Sequence, residues 1–476
     1  MESSEYDIGM IGLGTMGRNL VLNIGDKGFS AVGYDRDMAK VDLLRSETEN
    51  RKIRSVNSID ELLKLLKKPR IIMMLVPAGA PVDAVIADII PFLEKGDIII
   101  DGGNSHFTDT DRRTTDLLKK DIFFLGTGVS GGEKGARFGP SIMPGGPEDG
   151  YNKVKTIFEA IAAKADGQPC VAYLGPGSAG HYVKMVHNGI EYAVIQLIAE
   201  SYHLLKQGLG LNEDQLHQVY RNWNQQLQSF LFEITSEIFL KNDENSDKRL
   251  INLIKDSAKQ KGTGKWTSQD AMELQVPVPT IDAAVIMRDL SADKEFRQAI
   301  AQKTNASSDN MLNSPGKLNT DKDLFIDKLG NALLFAMITA YAQGLELLKA
   351  ASDTYKYQLH LDTVALIWRS GCIIRAGILK DIYTAFNNNN NLRNLLLDES
   401  FAGILNEKQN DLREIIKSAI DIKIPVPALS ASLSYFDAYR SNWLPANLVQ
   451  AQRDYFGSHT YERIDKQGIF HTEWGK

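Results

Sequence analysis

The run Gly12-Leu-Gly14-Thr-Met-Gly17 follows directly on the apolar stretch Ile8–Ile11 and opens a helical pattern. A strand that ends in such a turn and continues as a helix leaves few folds open. The first glycine permits the tight turn, the second lets backbone approach a bound group, and the third lets helix and strand pack closely. Further β-rich runs follow at Ala31–Tyr34, Ile71–Val76, Ile98–Ile100 and Ile122–Leu125, each bounded by charge, Gly or Pro. Helical patterns such as Val82–Leu93 lie between them. This alternation predicts a Rossmann-like α/β domain with a parallel sheet and helices on both faces.

The texture changes at Gly175-Pro-Gly-Ser-Ala-Gly180. Beyond it, long helical periodicities dominate and strand candidates are scarce. One helix is predicted from about Ala179 past Gln207 and another from about Phe325 past Lys349. Both exceed ordinary globular lengths, which predicts a large all-α domain. The expected division is residues 1–178, 179–445 and a tail at 446–476. Asn387–Asn391 favours caps and turns and reads as an exposed helix–helix connection. The tail is rich in aromatic and charged residues and is expected to pack against something.

At 476 residues the chain can build more than one core. A net charge of −6 gives no basic footprint, so nucleic acid is not an expected partner. Cys170 and Cys372 are the only cysteines, lack metal-ligand spacing, and fit a reducing compartment. The start, Met-Glu-Ser-Ser-Glu-Tyr-Asp, is acidic without an apolar signal region. Apolar runs such as Ile71–Val76 are far too short for a bilayer. A soluble cytoplasmic enzyme without a membrane partner is the expectation.

The glycine turn implies a dinucleotide, with Gly12, Gly14 and Gly17 as candidate contacts and the helix N-terminus offering N–H groups to the phosphates. Asp35 lies 18 residues after Gly17, where an acidic side chain accepts hydrogen bonds from the adenosine ribose. Asp37 adds a second negative charge. A 2′-phosphate beside Asp35 would meet repulsion of about 4 kcal/mol at ~4 Å and an effective dielectric of ~20. Arg36 acts in the opposite sense, since it can pair with a phosphate or stack on adenine. The residues therefore favour NAD modestly, with NADP as the alternative.

The segment Gly180-His-Tyr-Val-Lys-Met-Val-His-Asn-Gly-Ile-Glu-Tyr192 carries the chemistry. Lys184, His187, Asn188, Glu191 and Tyr192 stand at offsets of 3, 4, 7 and 8 and share one helical face. Most remaining positions are apolar. This polar stripe on an apolar helix inverts the ordinary surface pattern and predicts an enclosed polar cavity, where the plainer alternative is a solvated Lys–Glu face.

Together with Asp101-Gly-Gly-Asn-Ser105, Gly128-Val-Ser-Gly-Gly-Glu-Lys-Gly-Ala136, Lys261-Gly-Thr-Gly-Lys-Trp-Thr267 and Asn447-Leu-Val-Gln-Ala-Gln-Arg-Asp-Tyr-Phe456, this helix resembles the decarboxylating 6-phosphogluconate dehydrogenases over essentially the whole chain. The resemblance implies oxidative decarboxylation of 6-phosphogluconate to ribulose 5-phosphate and CO2, a pentose phosphate pathway step that also serves gluconate utilization. It implies a homodimer, duplicated helical units, and a tail that reaches into the partner subunit. It assigns Lys184 as the base and Glu191 as the acid, with no metal. It places Asn104, Ser130, Gly131, Gly132, His187 and Asn188 around the sugar acid. Tyr192, Lys261, Thr263 and Arg288 fall at its phosphate-binding positions, and Arg453 and His459 match the pair donated by the other subunit. Taken singly, Lys261, Arg288 and Arg453 read as surface charges. The cofactor contacts it implies add Thr15, Met16, Val76, Pro77, Ala78 and Asn104.

The departures concern the cofactor. The family commonly has Asn-Arg-Thr where this chain has Asp35-Arg36-Asp37, and a lysine where Pro77 stands; both differences remove features associated with NADP. Two other readings compete. A shorter β-hydroxyacid dehydrogenase, such as one acting on 3-hydroxyisobutyrate, would not need Lys261, Arg288 or the tail. A silent dinucleotide-binding sensor would be expected to lack Lys184 or Glu191, and both are present.

Overall fold

The structure, a computed structural model, describes residues 6–305 and 316–475; the first five residues of the acidic N-terminal segment lie outside them. Seven strands form the main sheet: β1 (Ile8–Ile11), β2 (Ala31–Tyr34), β3 (Ile53–Ser55), β4 (Ile71–Met74), β5 (Ile98–Asp101), β6 (Phe123–Ser130) and β7 (Ser141–Gly145). Their order is β3-β2-β1-β4-β5-β6-β7. Alternate residues of the central strands enter separate cores on the two faces, as in β5, where Ile98 and Ile100 enter one and Ile99 the other. Burial on both faces explains the continuous apolar runs in the sequence.

The expectation of a parallel sheet needs one correction. β7 runs antiparallel to β6, pairing Gly126 with Gly145 and Ser130 with Ser141. Only residues 131–140 connect the two strands, and a parallel return needs a crossover of a dozen or more residues. β3 was not expected from sequence; it is short and carries Arg54 in its middle. The expected strand Ile71–Val76 ends at Met74, which frees Leu75 and Val76 to line a cleft. The expected helix Val82–Leu93 is an α-helix over Ala80–Ile89 followed by a 3-10 turn, Ile90–Phe92.

Beyond the sheet the chain is helical. The Ala179–His203 helix continues as a π-helical turn through Gly208, and a second long helix spans Lys322–Tyr355. Gly344 sets their crossing: a Cβ there would lie 2.6 Å from Ile190. The Lys322–Tyr355 helix is long and apolar enough to cross a membrane by length and composition, yet most of its apolar residues are buried in the helical core. Two Val-Pro helix starts repeat in this region. Pro279–Ala292 and Pro427–Tyr439 follow Val278 (φ −127°, ψ 49°) and Val426 (φ −132°, ψ 59°). Gln343 accepts from Thr280 N at 3.0 Å, and Glu200 accepts from Ala428 N and Leu429 N at 2.8 and 2.9 Å. Each long helix therefore supplies orphan donors at one of these helix starts with an acceptor, an arrangement that fits duplicated helical units.

Asn387 and Asn388 close the Ile378–Asn388 helix rather than lying wholly in a connection, while residues 389–391 are exposed. The tail folds largely on itself, as the helix Ala446–Gly457 and a two-strand ribbon pairing Tyr461 with Phe470. Buried Asp454 organises it, accepting from Thr460 N, Thr472 N and Trp474 Nε1 at 2.9, 3.0 and 2.8 Å.

Candidate active site and dinucleotide cleft

The three glycines behave as their spacing implies. A Cβ on Gly12, where φ is +101°, would lie 2.4 Å from Leu75 O, and one on Gly17 would lie 1.9 Å from Gly12 O. A Cβ on Gly14 would meet nothing within 4 Å. Gly12 and Gly17 are thus fixed by packing, whereas Gly14 keeps a face open at a helix N-terminus without a side-chain cap. Those unpaired N–H groups and the open backbone fit a pyrophosphate. The cleft in front of them has a volume of about 820 Å³ and is lined by Gly14, Thr15, Met16, Gly17, Val76, Pro77, Ala78 and Asn104 from the expected cofactor set, with Lys261 and Thr263 across from them. His106 and Asp109, to which no motif pointed, also line it, as does Trp266 of the Lys261–Thr267 motif, for which the sequence implied no role.

An adjoining cavity of about 660 Å³ holds Asp35, Arg36 and Lys40. Buried Asp35 accepts from Leu13 N at 2.8 Å and from Asp37 N at 2.9 Å, which fixes its carboxylate at the end of β2. Asp37 caps the following helix by accepting from Ala39 N at 3.1 Å. Lys40 Nζ stands 3.6 Å from Asp35 and 3.7 Å from Asp37. Lys40 was missed in the sequence, although its i,i+3 spacing from Asp37 on a helix start was a usable signal.

The Ala179–His203 helix enters the molecule beneath the sheet edge. Gly180 makes this possible, because a Cβ there would lie 2.2 Å from Met143 O and 2.3 Å from Gly126 O. One turn later Lys184 is 6% exposed, and its Nζ donates to Asn188 Oδ1 at 2.7 Å. The same amide oxygen lies 3.0 Å from His187 Nδ1, and His187 Nε2 lies 3.2 Å from Ser130 Oγ. An amide oxygen cannot donate, so Nδ1 carries the proton and Nε2 accepts from Ser130. Ser130 Oγ in turn accepts from Ile373 N at 3.3 Å. Lys184, Asn188, His187 and Ser130 thus form one buried chain linking the helix to the end of β6.

Electrostatics follow from burial. Desolvation holds the Lys184 ammonium below the usual lysine range, opposed by the negative charge of Glu191 and by Cys372. Burial pushes His187 well below its ordinary range, reinforced by Lys184, so it is neutral. Burial pushes the Glu191 carboxyl up, against the pull of Lys184 and Arg288. Two titratable groups on one helix face have thereby been moved toward each other, the amine toward neutrality and the carboxyl toward its acid form.

The Arg288 guanidinium carbon lies over the Tyr192 ring, 3.3 Å from its centroid. Lys261 is exposed and Thr263 buried, at the start of the Thr263–Glu273 helix. Gly131 and Gly132 take φ of +132° and +62°; a Cβ on Gly131 would lie 2.4 Å from Gly371 O. Arg453 and His459 do not join this group within one chain: both are exposed on the tail. Among the described residues no three His, Cys, Asp or Glu side chains converge on a possible metal position.

Comparison with known proteins agrees with this geometry. The family model for the NAD binding domain of 6-phosphogluconate dehydrogenase matches residues 7–175, and that for the C-terminal domain of the same enzyme matches residues 180–474. A Bacillus subtilis relative described as an NADP(+)-dependent, decarboxylating 6-phosphogluconate dehydrogenase is 49% identical, over 99% of this chain and 100% of that one. A decarboxylating 6-phosphogluconate dehydrogenase from Lactococcus lactis is 46% identical, over 99% of each chain. The solved Plasmodium falciparum 6-phosphogluconate dehydrogenase, studied with NADP+ and with 6-phosphogluconate, superposes with a TM-score of 0.93 at 46% identity, covering 98% of this chain and 100% of that one. A glycine turn open at Gly14, a buried lysine–amide–imidazole chain and matches along both parts of the sequence place this chain in the 6-phosphogluconate dehydrogenase family.

Proposed function

We propose that the protein oxidises and decarboxylates 6-phosphogluconate to ribulose 5-phosphate and CO2, with Lys184 as base and Glu191 as acid. The observation that carries this is the buried chain Lys184–Asn188–His187–Ser130 with Glu191 on the same helix face. A nicotinamide dinucleotide in the cleft supplies the hydride acceptor. Lys184, whose charged form burial disfavours, takes in its neutral form the proton of the substrate 3-hydroxyl. The resulting ammonium stabilises charge on the C3 oxygen while CO2 leaves. Glu191, whose acid form burial favours, delivers a proton to C1 of the enediol. Asn188 holds Lys184 Nζ in place, while Ser130 and His187 orient the sugar acid. Asn104, Gly131 and Gly132 border the sugar acid. Lys261, Thr263, Tyr192 and Arg288 bind its phosphate, whose charge needs several donors.

NAD is the favoured acceptor in this reading. The fixed Asp35 carboxylate suits a ribose with free hydroxyls, and Asp37 adds to its charge. Arg36 and Lys40 bring two positive charges to this cavity, but Lys40 is engaged by both carboxylates, and Pro77 offers no further cation. The NADP named for the Bacillus subtilis relative is the alternative. The protein acts in the cytoplasm as a homodimer, in which Arg453 and His459 of each tail complete the other subunit's phosphate site. The exposed tail side chains Tyr455 and Phe456, at 65% and 73%, accord with a surface meant to be covered.

The test supplies purified protein with 6-phosphogluconate and either NAD or NADP and follows reduced nicotinamide, CO2 and ribulose 5-phosphate. Turnover with a higher kcat/KM for NAD is expected. No turnover with either dinucleotide would overturn the activity, and a higher value for NADP would overturn only the cofactor choice. Lys184→Ala should abolish hydride transfer, and substantial turnover by that variant would remove Lys184 as the base.

A further inference from the structure

We propose that Arg113 is a positioning residue for the nicotinamide half of the dinucleotide, tying together the two loops between which that half must lie. One loop, residues 75–79, follows β4; the other, residues 102–106, follows β5. Both line the cleft in front of Gly14. Arg113 stands on the Phe107–Leu118 helix and is 2% exposed. On the first side, its Nη2 donates to Gly79 O at 3.1 Å. Its Nε and Nη2 also hold Asp83 in a two-point fork at 2.8 and 2.9 Å. On the second side, its Nη1 lies 3.7 Å from Asp101 Oδ2 and 3.5 Å from Ser105 Oγ.

Asp101 extends the link. It is wholly buried, accepts from Gly103 N at 3.0 Å and from Ser105 Oγ at 2.6 Å, and so shapes the turn that carries Asn104. Its main-chain oxygen pairs with His181 Nε2 at 3.0 Å, one turn before Lys184. A single guanidinium therefore sets the spacing of both cleft walls, and through Asp101 their register against the helix bearing Lys184. A planar fork can hold such geometry, whereas an ammonium cannot. The cavity for the adenosine half shares Gly14, Leu75, Val76 and Pro77 with this cleft. Its polar groups Asp35, Arg36 and Lys40 stand at the end of β2 and beyond, away from the Gly79, Asp83, Asp101 and Ser105 atoms that Arg113 holds.

This inference rests on the dinucleotide reading of the cleft and not on which dinucleotide is preferred. Calorimetric titration of wild type, Arg113→Lys and Asp83→Asn with NAD, NADP and adenosine 5′-diphosphate tests it. In Arg113→Lys the Kd of the preferred dinucleotide should rise at least tenfold, while that of adenosine 5′-diphosphate stays within twofold. Asp83→Asn, at a half-exposed position, should move the dinucleotide in the same direction, and it decides the matter by the same criteria should Arg113→Lys not fold. Unchanged dinucleotide affinity would overturn the proposal, as would an equal loss for both ligands, which would mark a merely structural role. Wild type that binds neither dinucleotide would remove the dinucleotide reading itself and this inference with it.

Discussion

Gly128→Ala is the sharpest perturbation the structure offers. Gly128 sits within β6 directly beneath the Lys184 side chain, and a Cβ there would lie 2.4 Å from Lys184 Cβ and 2.9 Å from Lys184 Cγ. Carbon atoms settle at about 3.5–4.0 Å, so the two must separate by roughly 1 Å or more. Lys184 Cβ is attached to the helix backbone and cannot rotate away. Either the helix lifts from the sheet, where the approach is so close that a Cβ on Gly180 would clash with Met143 O and Gly126 O, or β6 yields. Overpacking of this kind costs about 1–3 kcal/mol of stability. A displacement near 1 Å at a reacting group costs on the order of 10²-fold in rate, close to 2.7 kcal/mol at 1.36 kcal/mol per tenfold. Single-turnover hydride transfer, followed at the reduced nicotinamide band at a temperature where the variant is folded, measures the second effect. Chemical denaturation measures the first. A Gly128→Ala protein with wild-type kcat/KM would refute the claim that close packing of helix on strand places the Lys184 amine.

Gly14→Ala should leave denaturation within about 0.5 kcal/mol of wild type, as for a surface change free of packing, yet weaken dinucleotide binding about tenfold; equal binding would show that Gly14 is not the approach point. The kcat/KM profile should be bell-shaped, because the active form needs a neutral Lys184 and a protonated Glu191, the two states that burial favours, and Glu191→Gln should lose enediol protonation while retaining hydride transfer. A Glu191→Gln protein with every step at the wild-type rate would remove the acid assignment. Burial pushes Glu200 up to about 7 against the pull of its Leu429, Gln196 and Ala428 hydrogen bonds. The folded state then keeps a proton that the unfolded chain releases, so stability is fully present near pH 4 and falls as pH rises toward 7. The stability difference between wild type and Glu200→Gln should shift toward the variant by as much as ~3 kcal/mol across that window, and a pH-independent difference would refute the argument.

Some of this was legible in sequence because it is local. Gly12, Gly14 and Gly17 mark a strand-to-helix turn by spacing alone, and buried parallel strands show as apolar runs whatever they pair with. The offsets from Lys184 to Tyr192 put five polar groups on one face because a helix repeats every 3.6 residues. Resemblance to a family then named the chemistry that this face alone left open. Lys40 was missed because a lysine near a helix start is ordinary until the fold brings it against Asp35. The antiparallel β7 was missed because strand direction depends on how far the connection can reach.

What tertiary structure decided is the state of the groups the sequence had located. Sequence placed Lys184 and Glu191 on one helical face. Only packing against Gly128, Ser130 and the surrounding helices removes water from them, and desolvation lowers one pKa while raising the other. Asp35 was legible as a ribose partner, but its fixed orientation comes from Leu13 N, 22 residues away. No motif in the sequence singled out Arg113, which becomes the tie between two loops only once β4 and β5 lie side by side. Periodicity and spacing are properties of neighbouring residues, whereas burial, charge pairing and the width of a cleft are set by segments that meet only when the chain has folded.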